Sequence, residues 1–246
     1  MNFVRMPNLP RADVGLAAVS ATYPEIISAL LRLGVGCVPV GPGALLSGPI
    51  GSHADMLCFH AGGDRIVAAK GEETLCSELR KYGFRVTESQ NAVRSPYPYE
   101  ACLNAAQLGG KLIADPCLLD GAVLSACRAD RIVPVRQGYA GCSVAVADEN
   151  SLITADPGIA EAVRRAGMDV LQIHPGGIAL PGFAYGFIGG ACGKIGKNRM
   201  AFAGRIQDHR DYAGIKAFLG SRGIGIVALS DGPLTDVGGI LPLMER

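Results

Sequence analysis

A repeated pattern constrains the fold of this chain more than any single residue does. A short apolar strand, an amphipathic helix and a second apolar strand follow one another in residues 17–40, 65–89, 111–135, 151–173 and 199–229. Two strand-to-helix corners carry Ala-Asp-Pro, so Asp115 and Asp156 are predicted to cap the helices that follow. Glycine favours the backbone conformation just beyond a helix, so four glycines are predicted to end helices: Gly34, Gly83, Gly167 and Gly223. Such self-similarity is typical of repeat architectures.

A further short strand precedes the last four repeats, at residues 56–59, 100–103, 143–146 and 185–188. The first repeat lacks one, and residues 237–241 are predicted to supply it by pairing beside residues 14–18. The sequence thus predicts an α/β fold, a five-fold pseudosymmetric α/β-propeller of ββαβ repeats closed by the C-terminal strand. Residues 1–246 are expected to form one domain. A doubly wound sheet is the alternative, disfavoured by the surplus of strands and by the lack of G-x-G-x-x-G.

Composition narrows the classes of function. The chain has 246 residues and a net charge of +1, so binding to nucleic acid is not implied. No apolar run approaches the roughly 20 residues of a membrane span, and no secretory signal precedes the first strand, so a cytoplasmic location is expected. The eight cysteines form no Cys-x-x-Cys pair, which predicts reduced thiols without a metal site. No cofactor is expected, and a homo-oligomer is left open.

The repeat pattern resembles the pentein fold of the guanidine-modifying enzymes and of the ribosome anti-association initiation factor. Residues 142–157, Cys-Ser-Val-Ala-Val-Ala-Asp-Glu-Asn-Ser-Leu-Ile-Thr-Ala-Asp-Pro, are similar to the repeat unit of that factor. The chain looks closest to small single-domain bacterial penteins without an assigned activity. The resemblance implies that loops facing a central axis supply a nucleophilic cysteine, a histidine and carboxylates that clamp a guanidinium.

The chain departs from that family at the expected catalytic positions. No cysteine follows the glycines of residues 236–242, and no histidine occurs among residues 137–139. Ala61 stands where the family's Glu-Gly-Gly-Asp fragment has its glutamate. Any catalytic set must therefore be displaced.

The candidate residues come from the loops predicted to face the axis. The candidates for catalysis are Cys142 and Cys192 as thiols and His60 as proton carrier. Lys194 is expected to lower the pKa of Cys192. The candidates for substrate binding are Asp64, Asn104, Asp236, Gly238 and Gly239.

Each candidate also has a structural interpretation. The structural interpretation is the favoured one for two of them: a buried, inert thiol for Cys142 and a turn residue for Asp64. His53 and His209 are interpreted as ordinary surface residues. A metal site formed by His60 and the two candidate thiols is a less favoured idea.

Two functions follow from these candidates. The first is a non-standard guanidine-modifying hydrolase or amidinotransferase acting on an arginine-like small molecule. The second is a non-catalytic binding module of the same fold, which holds a ligand or a macromolecule without turnover. The small-molecule ligand is expected to be guanidino or amino-acid-like.

Overall fold

A computed structural model describes residues 1–127 and 130–246, so the third repeat is described apart from residues 128–129. Its strands are β1 (Asn2–Phe3), β2 (Val14–Ser20), β3 (Gly36–Val40), β4 (Cys58–Gly62), β5 (Arg65–Ala68), β6 (Arg85–Glu88), β7 (Ala106–Leu108), β8 (Lys111–Ala114), β9 (Arg131–Pro134), β10 (Val144–Asp148), β11 (Ser151–Thr154), β12 (Asp169–Gln172), β13 (Cys192–Gly196), β14 (Arg199–Phe202), β15 (Gly225–Ala228) and β16 (Leu241–Glu245). Its helices are α1 (Pro24–Arg32), α2 (Ala54–Leu57), α3 (Glu73–Lys81), α4 (Gly121–Ala126), α5 (Ala140–Ser143), α6 (Pro157–Arg165) and α7 (Tyr212–Gly220), with a 3-10 turn at Ile206–Asp208.

The strands form five small sheets, one for each repeat. Four of them have the orders β4-β5-β6, β7-β8-β9, β10-β11-β12 and β13-β14-β15. In each of these, the first two strands form an antiparallel hairpin, and the third strand joins in parallel after the connecting segment. The ββαβ units that the sequence predicts are therefore present.

The fifth sheet joins the two ends of the chain. Its order is β1-β16-β2-β3, with β16 antiparallel to β2 and Leu241 opposite Ala18. The C-terminal tail thus pairs with the first long strand as expected, but the pairing begins at Leu241. Gly238 and Gly239 both have a φ of +77°, which is not a strand conformation, so the preceding residues turn instead of pairing.

The predicted leading strands are placed differently from expectation. Residues 56–59 and 143–146 overlap the one-turn helices α2 and α5, and their strands begin at Cys58 and Val144. Residues 100–103 and 185–188 are not strands. In each unit the chain turns before the hairpin, and amides there donate to carbonyls three or four residues earlier rather than to a sheet ladder, as Met56 does to His53, Asn104 to Ala101 and Ser143 to Tyr139.

Helix ends follow local sequence rules with one exception. Asp156 caps α6 by accepting from the Ile159 amide at 2.8 Å. Asp115 does not cap a helix: it accepts from Cys117 in a turn, and Asp120 caps α4 five residues later. The four glycines predicted to end helices have φ between 67° and 89°.

The units contact one another in chain order. Strand β10 packs against β7 and β13, β13 packs against β2 and β16, and α4 packs against β4 and β5. Helix α2 contacts β2. The segments just before each hairpin are thereby gathered together. No helix within residues 1–127 and 130–246 combines the length and apolarity that a bilayer-crossing span requires.

Candidate functional site

Four segments from different units meet through their backbones around Cys142. The Asp55 amide donates to the Gly238 carbonyl at 3.0 Å, and the Gly190 amide donates to the Cys142 carbonyl at 3.0 Å. The Gly239 amide donates to the Gly190 carbonyl at 2.8 Å. The convergence of equivalent loops, which the repeat predicts, is thus present in the backbone hydrogen bonds.

Cys142 lies in the one-turn helix α5, and its thiol is held from two sides. The Asn104 side-chain nitrogen Nδ2 lies 2.9 Å from Sγ, and Asn104 Oδ1 accepts from the Cys142 amide at 3.0 Å. The thiol also hydrogen-bonds to the side chain of Asp55. Burial, together with the carboxylates of Asp55 and Asp236, raises the pKa of the Cys142 thiol well above its usual value. The thiol is therefore neutral near pH 7.

Two carboxyl groups flank the thiol without a basic partner. Asp236 is buried and accepts backbone hydrogen bonds from Phe187 at 2.8 Å and Gly238 at 3.0 Å. Burial raises the pKa of Asp236 to about 6; burial, reinforced by the charge of Asp236, raises the pKa of Asp55 to about 7. Asp55 Oδ1 is buried without a hydrogen-bond partner in the described residues. No described lysine or arginine forms an ion pair with either carboxylate, so the local charge is available to a cation.

His53 lies in the interior, whereas the sequence analysis assigned it to the surface. It is only 1% exposed and precedes α2. Its Nδ1 lies 3.8 Å from Asp236 Oδ1, and its Nε2 has no partner among the described residues. Burial lowers the pKa of His53 to about 4, so the imidazole is neutral near pH 7.

A glycine makes the approach of His53 possible. A Cβ placed on Gly238 would lie 2.4 Å from the Cα of His53, a distance that only a glycine avoids. Gly190 is equally restricted, because its Cβ would lie 2.0 Å from Asp236 Oδ1. Position 238 therefore requires a glycine, because a side chain there would separate the loop that carries Gly238 from the loop that carries His53.

A cavity of about 280 Å³ opens beside these groups. Its polar wall consists of the side chains of His53, Cys142, Asp236 and Tyr139. The Tyr139 hydroxyl donates to the buried carboxylate of Glu100 at 2.8 Å. We use "Cys142 cluster" for Cys142, Asp55, Asp236, His53 and Asn104. Cys142, Asp236 and His53 all line this cavity, so a planar cation inside it would lie near a thiol, a carboxylate and an imidazole.

The other candidate residues lie elsewhere. His60, on β4, is buried against the Phe84 ring, and its Nε2 pairs with the Gly63 carbonyl at 2.9 Å. Asp64 is in an exposed turn and forms two hydrogen bonds with Arg85 at 2.7 and 2.9 Å. Asp64 is thus paired within its own unit, whereas His60 Nδ1 is buried without a partner in the described residues, and neither side chain lines the 280 Å³ cavity.

Cys192 is buried at the start of β13 and lines a smaller cavity of about 60 Å³ that also touches Asp55. Burial, with Asp236 nearby, raises the pKa of Cys192 to about 12. The expected effect of Lys194 is absent, because its Nζ donates to the Ala147 carbonyl at 3.0 Å. His209 is also buried and pairs with the Gly176 carbonyl, contrary to its assignment to the surface.

The metal-site idea receives no support from the structure, since no group of three His, Cys, Asp or Glu side chains is suited to a metal in residues 1–127 and 130–246.

The sequence contains one signal that points to His53 and Asp55, the two site residues that the sequence analysis missed. They lie just before the hairpin of the second unit, and Cys142 lies at the equivalent position, just before the hairpin of the fourth unit. Superposing the repeats would have aligned these segments.

The fold is similar to solved structures of guanidine-modifying enzymes. An inosamine-phosphate amidinotransferase from Streptomyces griseus matches with a TM-score of 0.61 and 11% identity, covering 98% of this chain and 97% of the other. An agmatine deiminase from C. jejuni matches with a TM-score of 0.59 and 10% identity, covering 98% and 97%. DDAH from Pseudomonas aeruginosa, solved with citrulline, matches with a TM-score of 0.54 and 10% identity, covering 99% and 100%.

The chain therefore has a pentein-like α/β fold, as the sequence pattern predicts. The resemblance to the ribosome anti-association initiation factor finds no support in these matches. A search of curated proteins finds no match to this sequence. The match of a family model to residues 18–241 shows that the chain belongs to the family of unknown function DUF6873.

Proposed function

We propose that this protein is a guanidine-modifying enzyme, a hydrolase or an amidinotransferase, that acts on a small molecule with an arginine-like guanidinium head. The observation that carries the proposal is the Cys142 thiol at the wall of a cavity, with the Asp236 carboxylate on the same wall and the Asp55 carboxylate buried beside the thiol. No lysine or arginine of the described residues forms an ion pair with either carboxylate. The solved structures of similar fold are named as an amidinotransferase and a deiminase of guanidino compounds. Their low identity supports the fold, and the local chemistry supports the activity.

Binding comes first in the proposed reaction. A guanidinium is planar and cationic, and paired carboxylates such as Asp55 and Asp236 suit it in charge and in hydrogen bonding. Its positive charge also offsets the two negative charges that raise the pKa of the Cys142 thiol. Substrate binding therefore favours the thiolate, which is the nucleophilic form.

The covalent step is then a substitution at the central guanidinium carbon. The Cys142 sulfur forms a bond to that carbon, and the bond from carbon to the departing nitrogen breaks. The thiol proton passes to the departing nitrogen, so an amine or ammonia leaves and a cationic thiouronium remains on sulfur. Asp55, which accepts the thiol hydrogen bond, and His53, whose Nε2 is unpartnered, are placed to carry this proton.

The second half restores the thiol. In a hydrolase, water adds to the carbon and the carbon–sulfur bond breaks, which yields a ureido product, the free thiol and one proton. In an amidinotransferase, an amine takes the place of water and a new guanidinium leaves. His53 takes the role of proton carrier that the sequence assigned to His60, because His53 lines the cavity.

The architecture in this proposal is a closed ring of five blades formed by residues 1–246 as one domain. Contacts between successive sheets and the pairing of β16 with β2 support it. The Cys142 cluster would then lie at the hub of the ring. Deleting residues 241–246 removes a strand that pairs with both β1 and β2, so it is expected to abolish cooperative thermal unfolding; unchanged unfolding of the truncated chain would contradict the closed ring.

The test is an assay for product. Purified protein is incubated with L-arginine, agmatine, methylated arginines and N-alkylguanidines, and ureido product and released amine are measured, with and without an acceptor amine. We expect turnover of at least one compound and none with the Cys142→Ser variant. Equal turnover by that variant, or no turnover and no binding of any compound, would overturn the proposal.

A binding module without turnover is the second candidate. The neutral state of the Cys142 thiol favours it, as does the lack of a cysteine after Gly238 and Gly239. Calorimetry separates the two functions. Saturable binding of a guanidinium compound with no product and no covalent adduct by mass spectrometry would favour the binding module.

A further inference from the structure

The cavity beside Cys142 has two chemically different walls. The thiol, the imidazole and the carboxylate form one wall, and the rest is mostly apolar. The apolar wall consists of Ile50, Met56, Leu180, Phe183, Tyr185 and Phe187. Among the described residues that line the cavity there is no lysine and no arginine. Whatever follows the cationic head of a ligand therefore meets hydrocarbon rather than a basic group.

This lining is unfavourable for the tail of an amino acid. A carboxylate needs a cation or several hydrogen-bond donors when it leaves water. Two backbone amides of the lining are already used: that of Phe183 donates to Leu180, and that of Phe187 donates to Asp236. The ionised groups of the site are themselves carboxylates, so they would repel a carboxylate on the ligand.

The rim of the cavity carries the same apolar character. Phe183 is 52% exposed and Tyr185 is 44% exposed, although both are large aromatic side chains. Both lie just after Gly182, which has a φ of +80°, and both line the cavity. Neighbouring exposed aromatic side chains commonly mark a binding surface. The surface is continuous with the cavity that holds the thiol, which identifies its occupant as the tail of the same ligand.

We propose that the substrate of this protein carries an uncharged alkyl or aromatic tail on its guanidinium head and has no carboxylate. The sequence-based expectation of an amino-acid-like ligand is narrowed accordingly. Since this inference rests on the proposed function, its test must distinguish a failure of the inference from a failure of that function.

Calorimetry with four probes provides that test: methylguanidine as the head alone, butylguanidine and phenethylguanidine with apolar tails, and L-arginine. Each buried methylene group adds roughly fourfold to the affinity. We expect butylguanidine and phenethylguanidine to bind at least about tenfold more tightly than both methylguanidine and L-arginine. Equal or tighter binding of L-arginine would overturn the inference and leave the proposed function intact. If none of the four probes binds, both fail.

Rim variants locate the tail. Phe183→Ser is expected to weaken phenethylguanidine binding about fivefold to tenfold and to leave methylguanidine binding unchanged. Phe183 is exposed, so the variant should fold; its melting temperature checks this. Tyr82→Ser, at an exposed aromatic residue remote from the cavity, is the matched control. If Phe183→Ser and Tyr82→Ser leave the ratio of the two affinities equally unchanged, the tail does not lie against Phe183 and the inference is wrong.

Discussion

The Cys142 cluster and the β4–β5 hairpin both carry a histidine and an aspartate, but the partners of the aspartates differ. The two histidines are alike: each has one buried ring nitrogen without a partner in the described residues, Nδ1 in His60 and Nε2 in His53. The carboxylates differ. Asp64 pairs with Arg85, whereas Asp55 Oδ1 is buried without a partner in the described residues. A buried polar group costs stability unless it is hydrogen-bonded. The unpaired carboxylate therefore indicates a cationic ligand, whereas the paired one is explained by the fold.

The structure separates candidates that the sequence groups together. His60 and Asp64 stand out as a histidine and a carboxylate around two glycines, and those glycines form an ordinary hairpin turn with positive φ. Asp236 and Asn104 are candidates from the same prediction, and both belong to the Cys142 cluster. An arginine partner, more than residue type, distinguishes the carboxylate of Asp64 from that of Asp236.

The largest expected effect separates the two candidate thiols. Cys142→Ser should lower turnover at least about 1000-fold, because the nucleophile is lost. Cys192→Ser should change turnover by no more than about threefold, since that thiol lines a different cavity. Initial rates with the best guanidino substrate check both. A large loss in Cys192→Ser with normal folding would show that the wrong thiol has been assigned.

The next effect compares carboxylates. Asp236→Asn and Asp55→Asn should each weaken methylguanidine binding about tenfold to 100-fold, because each removes a buried charge from the cation. Asp64→Asn, whose carboxylate already pairs with Arg85, should change the affinity less than twofold. Calorimetry at pH 8 measures all three. Similar losses in all three variants would contradict the distinction between the carboxylate that pairs with an arginine and the two that do not.

The pH dependence of binding is expected to follow the cluster carboxyls. The pKa of Asp236 is raised to about 6 and that of Asp55 to about 7, so both are largely protonated at pH 5 and ionised at pH 8. A guanidinium binds the ionised forms, so its affinity should rise at least about tenfold from pH 5 to pH 8, with proton release on binding. Titrations in two buffers of different ionisation enthalpy measure that release. A flat profile would mean that neither carboxyl contacts the cation.

The smallest expected effects are on stability, and they have opposite signs. A carboxyl whose pKa is raised by folding stabilises the protein at low pH, and this contribution is lost as the pH rises through about 7. At pH 8, Asp55→Asn should therefore raise the free energy of unfolding by about 1 kcal/mol. His60→Ala should lower it by about 1–3 kcal/mol, through a cavity and a lost hydrogen bond.

Urea unfolding at pH 8 and at pH 5 measures both variants. The gain from Asp55→Asn should shrink at pH 5, where the wild-type carboxyl is protonated. The affinity of His60→Ala for methylguanidine should stay within twofold. If His60→Ala abolishes binding without unfolding the protein, His60 belongs to the site.

The sequence by itself determined the repeated ββαβ units, the glycines that end the helices and the return of the tail to the first strand. Those features depend on local rules: apolar periodicity, the cap at Asp156, and the conformational freedom of glycine at Gly34 or Gly167. The predictions failed at Asp115 and at the leading strands, because there the backbone forms single turns, as from Leu118 to Asp115 and from Ser143 to Tyr139, instead of a helix or a strand. Only the tertiary structure decided which histidine and which carboxylates lie beside Cys142. Their selection depends on contacts between residues as far apart as His53 and Gly238, and no local pattern encodes such contacts.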